Sequence, residues 1–154
     1  MTAALPAVEA VEYGHVEPVQ VFFDDLDVLG IVHNARYAVL LERALTTYWA
    51  GRGLGYAGAD SPPDLFHAVR EFAIGYRAPI RDTGEIAVHF WVAHLGRTSL
   101  RYGFRFLSAG RETVHAEGQR LIVRLDPTTL RPTPWSDALR AGVAALAGPS
   151  ALPS

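Results

Sequence analysis

Residues 24–37, with the sequence DDLDVLGIVHNARY, decide how the rest of the chain is interpreted. They place the acidic side chain of Asp27 in a short loop between an apolar strand and a long amphipathic helix. Gly30 follows in the loop, and the polar Asn34 stands at the helix start. A carboxylate that faces a helix N-terminus suits acyl transfer, because it can attack a carbonyl or activate water while free backbone N–H groups hold the oxyanion.

The helix is the clearest element in the sequence. Its apolar stripe recurs at helical spacing and comprises Tyr37, Leu40, Leu41, Ala44, Leu45, Tyr48 and Trp49. Asn34 is the predicted N-cap, and Gly51 and Gly53 close the other end, so we expect a helix over 34–52.

Alternating apolar residues predict one strand before this helix and four strands after it. In the last strand the alternation changes phase between Ala116 and Leu121, which predicts a β-bulge near Gly118. The hairpin-like spacing of the last strands favours antiparallel pairing. The fold class is therefore α+β, with a curled antiparallel sheet of about five strands wrapped around one long central helix.

The length of 154 residues fits a single domain. We place this domain at 15–147, with flexible tails at 1–14 and 148–154. The domain ends in a short helix that starts at Thr133 and Pro134 and runs to about position 146.

Composition excludes several classes of chemistry. The chain has no cysteine and no lysine, which removes disulfides, thiol nucleophiles, Schiff-base lysines and the P-loop lysine. A net charge of −2 indicates neither nucleic acid nor anionic membrane as a partner. No apolar run is long enough to span a bilayer, and the first residues lack the pattern of a signal peptide. We expect a cytoplasmic protein without a metal or a cofactor.

The motif and its surroundings resemble the hotdog-fold acyl-CoA thioesterases of the 4-hydroxybenzoyl-CoA thioesterase family. The family pattern D-x-D-x-x-G-x-V-x-[HN]-x-x-Y is carried here by Asp25, Asp27, Gly30, Val32, Asn34 and Tyr37. Further matches are Glu42-Arg43-Ala44, Tyr76-Arg77-Ala78-Pro79 and Asp82-Thr83-Gly84. The resemblance implies hydrolysis of an acyl thioester on coenzyme A or an acyl carrier protein. Because such a sheet has a free edge and an unfilled cleft, we expect a homodimer with sites built from both subunits, and relatives often pair such dimers into tetramers.

The resemblance implies roles for four residues around the loop, whereas His33 departs from the aromatic residue that many relatives carry at its position. Asp27 takes the place of the catalytic carboxylate, as nucleophile or general base, and Asn34 supplies the backbone N–H of an oxyanion hole. Gly30 lets the backbone approach the substrate closely. His33 is a further catalytic candidate, and Tyr37 is expected to pack under the loop beside the substrate.

Three more residues are candidates for substrate binding. Arg97 and Ser99 stand at a strand start where relatives often bind the pantetheine or phosphates of coenzyme A. Arg70 interrupts an apolar alternation, so it either turns into a cleft or meets Glu71 or Glu42.

Three other functions are alternatives to thioester hydrolysis. The same loop resembles that of haloacid-dehalogenase phosphatases, which would make Asp25 the nucleophile and Asp27 an acid. Leu29 and the absence of alternating strands and helices speak against it. A hotdog dehydratase would need His33 as its catalytic histidine, and a hotdog domain could also bind acyl groups without turnover. In the preferred interpretation, Asp24 and Asp25 are solvent-facing turn residues.

Overall fold

The computed structural model describes residues 11–150, in which five strands form one sheet in the order β1-β3-β4-β5-β2 with every neighbouring pair antiparallel. The strands are β1 His15–Val21, β2 His67–Tyr76, β3 Gly84–Leu95, β4 Ser99–Ser108 and β5 Val114–Arg124. The long helix α1 is Tyr37–Gly51, and a short helix α2 is Asp137–Val143. The predicted α+β architecture, an antiparallel sheet with one long helix against it, is confirmed.

The core lies between α1 and the inner face of the sheet. All seven residues of the predicted apolar stripe are buried, and they belong to the same cluster as Phe90, Tyr102, Phe104 and Phe106 of the sheet. Each large apolar side chain buried in this way contributes about 1.5–3 kcal/mol. The helix is therefore held by packing of its apolar face rather than by local propensity alone.

Strand β3 is covered on both faces. Its outer face carries Trp91, whose indole N–H donates to the carbonyl of Pro149 at 3.1 Å, and the ring of Tyr13 lies 5.2 Å from that of Trp91. The tails that the sequence predicts at 1–14 and 148–154 fall mostly outside the described residues. Tyr13 and Pro149 belong to the described parts of these tails, and both lie against β3.

Gly103 in β4 sits where no side chain fits, because a Cβ atom there would lie 2.3 Å from Trp91 Cε2. We expect Gly103→Ala to lower the free energy of unfolding by about 2–3 kcal/mol through overpacking. Gly51→Ala at the end of α1 is the matched control, because no atom lies within 4 Å of its Cβ position and alanine favours a helix. Urea denaturation of both variants measures the difference, and equal stabilities would contradict this packing.

The start of α1 differs from the prediction. A 3₁₀ turn, Asn34–Arg36, precedes the α-helix, and its N-cap is His33, whose ring Nδ1 accepts a hydrogen bond from Ala35 N–H at 3.1 Å. The N-cap lies one residue earlier than predicted, because an imidazole nitrogen can accept a hydrogen bond as an oxygen does.

The predicted terminal helix also begins later than expected. Thr133 and Pro134 lie outside it, and Ser136 caps α2 by accepting from Leu139 N–H at 3.2 Å. A 3₁₀ turn, Ala144–Leu146, continues it to the predicted end.

The predicted bulge near Gly118 is wrong. The register shifts instead near His115, between β4 and β5, and near Arg70, between β2 and β5. The apparent change of phase in β5 arises because its inner face carries a charged residue, Arg120, between Gly118 and Ile122.

Candidate active site

Asp27 lies in a tight loop between β1 and α1. Its backbone N–H donates to Ile31 O at 2.8 Å, and Gly30 N–H donates back to Asp27 O at 3.0 Å. Gly30 has a φ of +75°, the left-handed conformation that glycine adopts without steric cost. One carboxylate oxygen, Oδ1, accepts from Leu29 N–H at 2.8 Å, while Oδ2 has no partner among the described residues. The loop thus orients the half-buried carboxylate and leaves one oxygen available.

A cleft of about 440 Å³ opens beside this carboxylate. It is lined by Asp27, Ile31, Val32, His33, Asn34, Tyr37, Tyr76, Arg77, Ala78 and Pro79. Of the residues that the sequence assigned to catalysis, Asp27, His33 and Asn34 therefore meet at one site, with Gly30 in the adjoining turn.

Asn34 begins the 3₁₀ turn beside the cleft. Its backbone N–H is the first of the 3₁₀ turn and has no acceptor among the described residues, as expected at a helix start. Its carbonyl accepts from the Tyr76 hydroxyl at a long 3.5 Å. Asn34 and Asp27 both line the cleft, so a free N–H and a free carboxylate oxygen belong to residues of one site.

The side chain of His33 caps the 3₁₀ turn. Because its Nδ1 accepts from Ala35 N–H, the neutral ring carries its proton on Nε2, which lies on an exposed side chain. The catalytic role that the sequence suggested for His33 stays a prediction.

Tyr37 forms the buried wall of the cleft. Its ring packs edge-on against Tyr76 and against Phe106, with centroids 5.1 Å apart in both pairs. Burial raises the pKa of the Tyr37 hydroxyl, and the neighbouring Tyr76 acts in the same direction. Tyr37 therefore remains a neutral hydroxyl at physiological pH, and its role beside the substrate stays a prediction.

The expectation that Asp25 faces solvent is wrong. Its side chain is fully buried and accepts from Phe22 N–H, at 2.8 Å, and from Arg36 Nε, also at 2.8 Å, while Arg43 lies 3.5 Å away. Burial opposes ionisation, but the Phe22 N–H and the two guanidinium groups outweigh it and hold the pKa of Asp25 below its usual range. Asp24, by contrast, is exposed as expected.

The buried position of Asp25 bears on the phosphatase alternative. A nucleophile must reach its substrate, and Asp25 has no exposed surface. The purely antiparallel sheet also lacks the parallel strands of a doubly wound fold. Both observations exclude the phosphatase interpretation.

The structure does not bring Arg97 and Ser99 to Asp27 within one subunit. The Asp27 loop is bridged to Arg81, just before β3 begins, whereas Arg97 and Ser99 follow the end of β3. Twelve residues of strand separate the two ends, about 40 Å. Arg70 lies exposed at a bulge of the edge strand β2 and has no ion pair among the described residues. The cation that meets Glu42 is Arg120.

Tyr76, Arg77 and Pro79 line the cleft although the sequence assigned them no role. The sequence did contain an indication of their role, because this segment matches the family motif Y-x-x-P. Arg77 has a largely exposed side chain and pairs with Glu117 at 2.7 Å, so it brings a cation to the rim of the cleft.

Residues 11–150 contain neither a candidate metal cluster nor a candidate membrane-spanning helix. No group of three or more His, Asp or Glu side chains there has the geometry of a metal site. No helix there is long and apolar enough to cross a membrane.

Known proteins are similar to this chain in sequence and in fold. The model of the Thioesterase-like superfamily matches residues 21–143. The acyl-CoA thioester hydrolase YbgC of Escherichia coli is 28% identical over 115 residues, which cover 75% of this chain and 84% of that protein.

Solved structures agree with this family match. The PA5185 protein of Pseudomonas aeruginosa has a TM-score of 0.78 at 27% identity, over 89% of this chain and 94% of that one. A thioesterase from Thermus thermophilus, solved with coenzyme A and Zn, has a TM-score of 0.69 at 29% identity, over 90% and 96% of the two chains. These likenesses confirm the hotdog fold.

Proposed function

The chain belongs to the Thioesterase-like superfamily, and from that membership we propose that it hydrolyses the thioester of an acyl-coenzyme A with Asp27 as the catalytic carboxylate. The protein is a hydrolase of the thioesterase class. One observation supports the assignment of the site: Asp27, with a free carboxylate oxygen, and Asn34, with a free N–H, line one cleft.

The chemistry follows from these two groups. The Asp27 carboxylate either attacks the thioester carbonyl, giving a mixed anhydride that water then cleaves, or removes a proton from the attacking water. In both routes the carbonyl oxygen becomes an oxyanion that accepts from Asn34 N–H, and the helix dipole of α1 favours this charge. The thiol of coenzyme A leaves with a proton, and the acid is released.

A homodimer is part of the proposal, and the edge strand β2 supports it. One side of β2 pairs with β5, and the other side is open, with exposed apolar side chains at Val69 and Tyr76. Unprotected strands of this kind pair readily with a second copy. A two-fold antiparallel pair centred on the middle of β2 would set His67 opposite Tyr76 of the partner subunit.

Such a dimer would join the two ends of the molecule that carry candidate site residues. Tyr76 lines the cleft, whereas His67 lies at the sheet end near Ser99. We therefore assign Arg97 and Ser99 to the partner's cleft, while Arg77 serves the cleft of its own subunit with positive charge for the coenzyme A phosphates.

In the proposed dimer, a charge introduced on the edge strand β2 should separate the two subunits. We expect the native protein to have twice the mass of one chain in light scattering, and Val69→Glu to shift it to monomers, because a carboxylate would be buried between paired strands. Leu130→Glu, at another exposed apolar residue away from the edge, should leave the mass unchanged. A native monomer at micromolar concentration would contradict the shared site.

A substrate panel tests the function. Thiol release from acyl-coenzyme A esters of different chain length and ring content should be catalytic, and the same acyl groups on an acyl carrier protein would show which carrier is preferred. Tight binding without thiol release would indicate an acyl-binding protein. Hydration of an unsaturated acyl ester without thiol release would indicate a dehydratase.

A further inference from the structure

A second cavity, which we call the helix–sheet cavity, lies under the other half of α1. It has a volume of about 170 Å³ and is bordered by α1 from Glu42 to Trp49, by the loop at 54–65 and by the inner faces of β4 and β5. It shares no lining residue with the Asp27 cleft. Because it also includes His67 at the start of β2, the proposed two-fold pairing would bring it to the partner's cleft.

Two buried donors on its wall have no acceptor. Arg120 projects from the inner face of β5, is only 5% exposed, and donates one N–H to Glu42, but its Nε–H has no partner in the described part of the chain. The indole N–H of Trp135, a residue 4% exposed, is equally unpartnered there. Buried donors are satisfied in most proteins, so two on one cavity wall indicate a ligand that accepts hydrogen bonds.

Two other buried side chains of the wall already have hydrogen-bond partners. Asp64 accepts from the backbone N–H of Ser136 at 2.8 Å and from its hydroxyl at 2.5 Å, and Tyr102 accepts from Trp49 Nε1 at 2.9 Å. The remaining wall is apolar, with Leu45, Leu100, Ile122 and Leu139 among its members. Among the described residues of this wall, the buried side-chain atoms without a partner are therefore both donors.

The charges around the cavity favour a neutral acceptor over an anion. The guanidinium of Arg120 is offset by Glu42, and Asp64 is opposed by Arg124 at 3.9 Å. An additional carboxylate would have to compete with Glu42 or lie uncompensated near Asp64, which costs more than placing a neutral oxygen there.

We propose that the helix–sheet cavity receives the far end of the acyl group, and that Arg120 and Trp135 select acyl groups that carry a neutral hydrogen-bond-accepting oxygen there. This specificity rests on the proposed function. A cavity of about 150 Å³ holds a benzene-sized molecule, so this one takes a group of about six to eight heavy atoms. Hydrocarbon acyl groups of the same shape leave both donors unsatisfied and are poorer substrates.

Matched acyl-coenzyme A esters test this selection. At one length the set is 5-oxohexanoyl, 5-methylhexanoyl and glutaryl, and at a longer length it is 7-oxooctanoyl, 7-methyloctanoyl and pimeloyl. Each set compares a ketone, a methyl group and a carboxylate at one position. We expect kcat/KM for the oxo ester to exceed the values for both of its analogues by about tenfold at one of the two lengths.

Variants assign the selection to the two donors. Arg120→Met keeps the length of the side chain, and Trp135→Phe keeps an aromatic ring, while each removes a donor; both should bring the oxo-to-methyl ratio close to one. Arg101→Met, at an arginine on the outer face of the sheet, should leave the ratio unchanged. A ratio of two rates on the same protein is insensitive to the fraction folded, and Trp135→Phe carries the test if Arg120→Met does not fold.

The outcomes separate the two proposals. If the methyl or the carboxylate esters are hydrolysed as well as the oxo esters at both lengths, the selection is wrong while the thioesterase function stands. The same holds if the oxo preference survives in the donor variants. If the native protein releases thiol from no acyl ester of any class, the proposed function fails and the selection fails with it.

Discussion

Asp27→Asn should reduce kcat for acyl-coenzyme A hydrolysis by about 100-fold or more. The substitution keeps the shape of the side chain and removes the negative charge, so neither nucleophilic attack nor proton removal from water remains efficient. Stability should change little, because the amide oxygen can still accept from Leu29 N–H as Oδ1 does now. The measurement is steady-state thiol release with the urea midpoint of the same preparation.

Asp24→Asn is the matched control, since it changes an exposed acid in the same segment and should retain near-native turnover. An Asp27→Asn protein that hydrolyses its substrate at the native rate would refute the assignment. The work would then fall to Asn34 and His33, with water held by the oxyanion donor alone.

Asp25→Asn should lower the free energy of unfolding by about 3 kcal/mol, the low end for breaking a buried ion pair. The change takes the carboxylate away from Arg36, Arg43 and Phe22 N–H, all of which it now holds. The two arginines are partly exposed and recover some hydration, which keeps the loss at that low end. Urea denaturation at pH 7 measures it, and Asp24→Asn should change stability by less than about 0.5 kcal/mol.

The effect of Asp25 depends on pH with a definite sign. Because the pKa of Asp25 is lower in the folded state than in the unfolded state, its contribution is complete above the unfolded value, about 3.9. It is lost as the pH falls from there through the folded pKa. The stability difference between the native protein and Asp25→Asn should therefore be constant from pH 6 to pH 8 and shrink below about pH 4. A difference that grows on acidification would contradict the buried ion pair.

These two predictions concern acids only two residues apart, and the sequence could not tell their environments apart. Both stand in one acidic turn, and the motif alone pointed to Asp27. Whether Asp25 faces solvent or the interior depends on Arg36, in the 3₁₀ turn, and on Arg43, in α1, and both reach it only after the helix has packed on the sheet. Asp25→Asn thus cannot serve as a neutral control for activity, because the Asp25 carboxylate binds Phe22 N–H and Arg36, which lie on either side of the loop that holds Asp27.

Local periodicity determined the architecture. The stripe along α1 and the alternation in the strands are each set by residues a few positions apart, since a helix repeats every 3.6 residues and a strand every two. The sequence therefore predicted the long helix, the five strands and the antiparallel sheet. The motif around Asp27 likewise predicted four of the cleft residues, Asp27, His33, Asn34 and Tyr37, because they belong to one continuous loop and helix start.

Long-range packing decided the rest. The change of phase in β5 predicted a bulge near Gly118, whereas the folded chain sets Arg120 on the inner face of that strand against Glu42. Arg97 and Ser99 have the residue types of a phosphate site, yet the length of β3 keeps them far from Asp27 within one subunit. Sequence patterns report which face of its own element a residue occupies. Which residues of other elements meet it depends on strand order and register, and these are fixed only when the sheet closes on α1.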